Sequence, residues 1–205
     1  MSAFFNSAEI GADFAIRVPV VKGQYVGGGR SQFGRYLSSI SVDQGFIDNV
    51  KAVLVISDND DDPDASFAEV QKEIRSSKIF PVPDAEMTVG KIAGAPDLVV
   101  LMLPMGGAIG NLESICLQAA YSKWPQVSPH LDTFVVGTPP NLWTHGKQSK
   151  MRMQCILAAT NDRQPGSGFA GHWRQDRQYQ IPLDHPCFDD VSDFIENFPK
   201  LLGTG

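Results

Sequence analysis

Ala52-Val53-Leu54-Val55-Ile56-Ser57-Asp58-Asn59-Asp60-Asp61-Asp62 decides how the rest of the chain is read. Residues 52–56 are continuously apolar and rich in β-branched side chains, which predicts a strand buried on both faces. The strand runs straight into Asp58, Asp60, Asp61 and Asp62, four carboxylates within five residues. Like charges this close repel unless a cation or hydrogen-bond donors offset them. In open parallel α/β sheets, ligands bind just beyond the carboxyl ends of the strands. Asp58 and Asp60 together are a donor set suited to Mg²⁺ or Mn²⁺.

Working outward, Pro63 is placed to open a helix, and Phe67, Val70 and Ile74 recur at helical spacing over residues 65–76. Asp97–Pro104 (DLVVLMLP) predicts a second continuous apolar strand, and Ile79–Val82 is short and apolar. Beyond Gly106, Gly107 and Gly110, either Gly110 or Asn111 can cap a helix over residues 112–122. Upstream, residues 17–26 alternate loosely and predict a strand, with Pro19 at its beginning or on an edge. The Gly27-Gly28-Gly29 run breaks that strand. A tight turn explains the run better than a phosphate cradle, because no Lys-Ser/Thr follows it. A helix is predicted over residues 30–39, a short strand at 134–136, a helix over 148–160 and a final amphipathic helix over 186–202. Residues 80–96 and 161–171 are rich in Pro and Gly and predict loops. Strands alternating with helices predict a single α/β domain over residues 16–205 with a mostly parallel sheet, preceded by a weakly patterned segment, residues 1–15.

The 205 residues are 42% hydrophobic and 20% charged, which is ordinary globular material. A net charge of −6 argues against generic electrostatic binding of nucleic acid, though it leaves room for a local basic groove or metal-mediated contact with phosphate. Cys116, Cys155 and Cys187 are far apart and form no CxxC pair, so neither a zinc site nor a disulfide framework is expected. A reducing cytoplasm is the default setting. No apolar run approaches the roughly 18 residues of a membrane span. The start, MSAFFNSAEIGADFAIR, lacks the charged head and continuous apolar stretch of a signal peptide.

The acidic loop also has plainer readings. Asp61, Asp62 and Asp64 suit a loop and helix cap, where the macrodipole favours negative charge. An EF-hand register places Asp58, Asp60, Asp62, Asp64 and Glu69 at ligand positions. Pro63 stands at the required glycine, however, and a strand precedes the loop rather than a helix. A receiver-like module using Asp58 as phosphate acceptor wants an acidic pair after its first strand, which is absent. His145 and His172 have no HxH or HxxxH partner and suit structural or surface roles. Ser57, Ser114 and Cys116 lack a nucleophile-elbow or Cys/His context.

The order of features carries a resemblance. A Gly-rich turn is followed by a strand ending in Asp58-Asn59-Asp60, and a second strand ends in Pro104 with Gly110-Asn111-Leu112-Glu113 beyond it. Lys150 sits on a later helix, and Gly171-His172-Trp173 precedes the final apolar helix. Over residues 20–202 this resembles the small TOPRIM-like proteins of unknown function related to the nuclease domain of OLD-type proteins. The resemblance implies a TOPRIM-like sheet flanked by helices and a Mg²⁺-dependent (or Mn²⁺-dependent) action on phosphodiester or nucleic-acid substrates. Asp58, Asp60 and Glu113 would be metal ligands, with Glu113 and Lys150 catalytic and Lys150 steadying phosphate charge. Lys147 and Arg152 are alternatives to Lys150, and Glu113 also suits a helix dipole. The family's first strand ends in a motif like Val-Glu-Gly. No such strand precedes Gly27, and the early glutamate here is Glu9. The alternative is therefore a degenerate, non-catalytic TOPRIM-like domain that binds metal or a protein partner. The implied partners are nucleic acid or a nucleotide, or a protein such as an ATPase, and not a membrane.

Overall fold

The computed structural model of the chain describes residues 14–15, 29–162, 165–166 and 180–203. These divide into two units, residues 29–108 with 197–203 and residues 109–162 with 180–196.

In the first unit a 3-10 turn, Arg30–Gln32, leads into helix α1, Phe33–Ile40. A short helix α2, Gln44–Asn49, follows, capped by the Asp43 carboxylate, which accepts from the Phe46 N–H at 2.9 Å. Strand β1, Ala52–Asp58, and strand β2, Asp97–Leu103, pair in parallel, from Ala52 opposite Asp97 to Asp58 opposite Leu103. Parallel neighbours need a crossover connection, and helix α3, Pro63–Ser77, supplies it. Its start is set locally. Asp62 accepts from the Ala65 N–H at 3.0 Å, and Pro63 occupies the first turn, where its missing N–H costs nothing. Helix α3 ends at Lys78 in the left-handed region, φ 61°.

Val55, Leu98, Val100 and Met102 pack with Leu37 of α1 and Val70 and Ile74 of α3, and Phe80 closes the same cluster. The alternate residues of β2, Val99, Leu101 and Leu103, are buried as well. This explains a sequence that is apolar at every position rather than every second one. Helix α1 comes close to α3 at Gly34, where an added Cβ would lie 2.6 Å from the Glu73 carbonyl oxygen.

The short apolar segment 79–82 is irregular and leads into the loop expected at 80–96. Pro81 and Pro83 remove ladder donors, and Phe80 is used as a core plug. Further along the same loop, Gly90 exchanges backbone hydrogen bonds with Leu98 (2.8 and 3.1 Å), and the Met87 N–H donates to the Val100 carbonyl at 2.8 Å. That covers the edge of β2 away from β1. The α/β class with parallel pairing holds. Among the described residues the sheet has two strands, and the strand expected at 17–26 lies outside them.

The second unit is helical: α4, Leu112–Lys123; α5, Val127–Val136; a 3-10 turn, Pro139–Leu142; α6, His145–Thr160; and a 3-10 turn, Pro186–Phe188, leading into α7, Asp189–Leu201. Residues 197–201 of α7 group with the first unit. The predicted strand 134–136 is the end of α5. Leu131 and Val135 are buried four residues apart, so a helical stripe overrides the β-branched local preference. Ile115, Cys116, Ala119 and Ala120 of α4 and Met153, Ile156 and Leu157 of α6 form the buried faces of two packed helices. No described helix is long and apolar enough to cross a membrane.

Candidate functional site

Asp58 closes β1, and the chain turns at Asp60, whose φ of 52° is unusual for a residue with a side chain. Arg30 holds this turn. Its guanidinium pairs with the Asp60 carboxylate, donates to the Asp58 backbone carbonyl at 3.3 Å, and bonds Glu69 Oε2 of α3 at 3.1 Å. The Arg30 side chain is 14% exposed and that of Asp60 45%, so the ion pair is partly shielded from water. The acidic run is thus relieved piecewise. Arg30 neutralises Asp60, Asp62 serves as a cap, and Asp64 lies in the first turn of α3, where the helix dipole favours it. Glu86, in the loop after α3, has its carboxyl held above the usual carboxylate range by burial and then by the negative charge of Asp64.

Between the two aspartates, Asn59 has no solvent exposure. Its Nδ2 donates to the carbonyls of Pro104 at 2.7 Å and Ala108 at 2.8 Å, and its own N–H donates to the Leu103 carbonyl at 2.7 Å. The Ser66 hydroxyl donates to the Asn59 carbonyl. Asn59 therefore ties the loop after β1 to the loop after β2, which begins at the cis Leu103–Pro104 bond and passes through Gly106 and Gly107, both with positive φ. Two carbonyl acceptors fix which way the amide faces, and that leaves Asn59 Oδ1 buried without a hydrogen-bond partner among the described residues.

In the second unit, Asn111 caps α4 and is fully buried. Its Oδ1 accepts from the Ser114 N–H at 3.0 Å, and its Nδ2 donates to the Gly146 carbonyl of α6 at 3.0 Å. The Ser114 and Ser149 hydroxyls meet at 3.1 Å. These contacts tie the first turn of α4, which carries Glu113, to the first turns of α6. Lys150 lies on α6 beside Trp143, Lys147, Met151 and Gln154. Arg152 is committed elsewhere, with Nη1 2.6 Å from Asp132 Oδ1 and 3.4 Å from the Tyr121 hydroxyl. Burial alone would lower its pKa, but these two partners turn the shift upward. The Lys123 ammonium, lowered by burial, donates to the Gln180 carbonyl at 2.7 Å and lies 4.8 Å from the centre of the Trp124 ring.

The candidate residues therefore fall in pairs. Asp58 and Asp60 sit on one loop of the first unit, and Glu113 and Lys150 on tied helices of the second. Among the described residues, no three His, Cys, Asp or Glu side chains group as ligands for a metal ion. Glu9, Gly27, Gly28, His172 and Trp173 lie outside the described residues. His145 opens α6 and is exposed. Cys116 is fully buried and its thiol is pushed far up, by burial first and then by the charges of Glu113 and Cys187, which leaves it a poor nucleophile at neutral pH. The sequence reading gave Arg30 and Asn59 no part in the site. Arg30 lies 30 residues before its carboxylate partner, and no spacing rule joins them. Asn59 reaches carbonyls 45 and 49 residues away, which no local pattern marks.

A protein-family model described as a protein of unknown function, DUF3226, matches residues 13–199. No curated protein and no solved structure matches the chain.

Proposed function

We propose, for a chain that belongs to the DUF3226 family, that it is a TOPRIM-like domain acting on a phosphodiester or nucleotide with Mg²⁺ or Mn²⁺ held at the carboxyl end of β1. The observation that carries this reading is the end of a parallel strand presenting Asp58 and Asp60 beside a loop anchored by Asn59. Mg²⁺ keeps several waters and needs only one or two carboxylates, which Asp58 and Asp60 would supply. When bound, the ion would polarise a phosphoryl oxygen. Glu113 and Lys150, which the resemblance names as catalytic, lie in the second unit. Arg30 competes for Asp60 in this reading, so the metal-free loop is held by an internal cation.

That same ion pair favours a second reading, a degenerate domain without turnover that engages a protein partner. Calorimetric titration of Mg²⁺ and Mn²⁺ into the wild type, Asp58→Asn/Asp60→Asn and Arg30→Met separates the two. The first reading expects saturable binding that the double change removes and that Arg30→Met strengthens several-fold. Absence of binding at millimolar metal in both the wild type and Arg30→Met would overturn it in favour of the second.

A further inference from the structure

The second unit leaves an apolar strip at the surface just before α6: Val136 is 74% exposed, Leu142 89% and Trp143 43%. Single exposed apolar residues need no explanation, but a group beside a groove does. Here the strip runs into an open groove of about 520 Å³ lined by Trp143, Lys147, Lys150, Met151 and Gln154. Lys147, Lys150, Met151 and Gln154 follow one another at steps of three, one and three, which puts them on one face of α6, with Trp143 just before its start. Trp143 is held in place by its backbone. Its N–H donates to the Pro140 carbonyl at 3.0 Å, and its carbonyl accepts from Gln148 Nε2 at 3.1 Å.

The charge of this region departs from that of the chain. The chain carries 23 Asp and Glu residues and a net charge of −6, yet residues 133–161 contain none of those acids and do contain Lys147, Lys150 and Arg152. Lys147 and Lys150 are the basic residues that line the groove, and Arg152 pairs with Asp132. An apolar floor with a lysine rim complements an amphipathic segment whose polar side is acidic.

We propose that the groove formed by Trp143, Lys147, Lys150 and Met151 docks an acidic amphipathic helix of a partner protein, its apolar face on Leu142, Trp143 and Met151 and its carboxylates on the two lysines. Single-stranded nucleic acid fits less well. Stacking would use Trp143, but exposed Val136 and Leu142 offer nothing to a phosphodiester, and the net charge opposes it.

The test is fluorescence anisotropy of the full chain with a labelled Leu/Glu amphipathic peptide of about 18 residues, long enough to form a helix. A Leu/Lys peptide with the same apolar face and an oligothymidylate are the comparison probes. Expected are saturable binding of the Leu/Glu peptide about tenfold or more tighter than the Leu/Lys peptide, and about tenfold weakening by Trp143→Ala. Lys147→Glu/Lys150→Glu should invert the preference between the peptides. Leu142→Asp, at the most exposed position of the strip, changes the surface without touching the buried core and should weaken binding in the same way. Equal binding of the two peptides, absence of saturable binding, or tighter binding of the oligothymidylate would each overturn the proposal. So would a concentration-dependent increase in mass on sedimentation that Leu142→Asp abolishes, because a second copy would then be the occupant.

Discussion

Asn59→Asp changes one atom of a fully buried side chain and should make the stability of the first unit strongly pH-dependent. The amide donates to two carbonyl oxygens, of Pro104 at 2.7 Å and Ala108 at 2.8 Å. A protonated carboxyl can serve one of them, so at low pH the loss is one hydrogen bond, about 1 kcal/mol. An ionised carboxyl can serve neither and sets a negative charge against both oxygens with no water nearby. Burial and the two acceptors raise the folded-state pKa of the introduced carboxyl above its unfolded value of about 3.9. The folded state then keeps a proton that the unfolded state releases. The penalty is therefore small below about pH 4 and grows by about 1.4 kcal/mol per pH unit up to the folded-state pKa. Between about pH 5 and pH 7 the added loss reaches up to about 2.7 kcal/mol. With a urea m-value of roughly 1–3 kcal/mol/M, that lowers the midpoint by roughly 1–3 M relative to wild type. Urea unfolding of wild type, Asn59→Asp and Asn59→Leu at about pH 5, 6 and 7 measures this, with Asn59→Leu as the variant whose loss stays flat. A loss in Asn59→Asp that is the same at every pH, or no loss at all, would refute the clamp assigned to Asn59.

Three further outcomes test the packing around the candidate residues. Gly34→Ala meets a backbone carbonyl that cannot rotate away, at 2.6 Å; overpacking of about 1–3 kcal/mol exceeds the helix-propensity gain of up to about 1, so thermal unfolding should show a net loss of about 1–2 kcal/mol. Asn111→Ala removes the cap of α4 and the bond to Gly146, each about 1 kcal/mol, so chemical unfolding should show a loss of about 2 kcal/mol; an unchanged midpoint would mean that the two helices are tied by other contacts. Cys116 should resist iodoacetamide in the native protein at about pH 8 while Cys155 and Cys187 label faster, because burial keeps its thiol both protonated and enclosed; peptide mass mapping that finds equal labelling would contradict that environment.

Where the chain spoke plainly, local chemistry and the fold wanted the same thing. Residues 97–103 are apolar at nearly every step because β2 is covered on both faces, and the apolar run 52–56 likewise marked β1, although Val55 is its one buried residue. Asp62-Pro63 and Asn111 announced two helix starts, since capping depends only on neighbours three residues on. Residues 134–136 misled because a run of three apolar residues carries no period, and Val135 belongs to a helical stripe that depends on distant partners.

The sequence by itself determined an α/β chain with two apolar strands, the helix that joins them and a cluster of carboxylates at the end of the first; β2 is buried, whereas in β1 Val55 alone is, the rest being half-buried. Those features rest on burial pattern and caps, which are written in contiguous residues. Tertiary structure alone decided how that acidic loop is neutralised. Arg30 reaches Asp60 and Glu69 across 30 and 39 residues, and Asn59 reaches Pro104 and Ala108 across 45 and 49. The Asn59 contacts arise only once β1 and β2 lie side by side, because strand pairing brings their two terminal loops within hydrogen-bonding distance, and the Arg30 contacts only once the turn before α1 packs against α3.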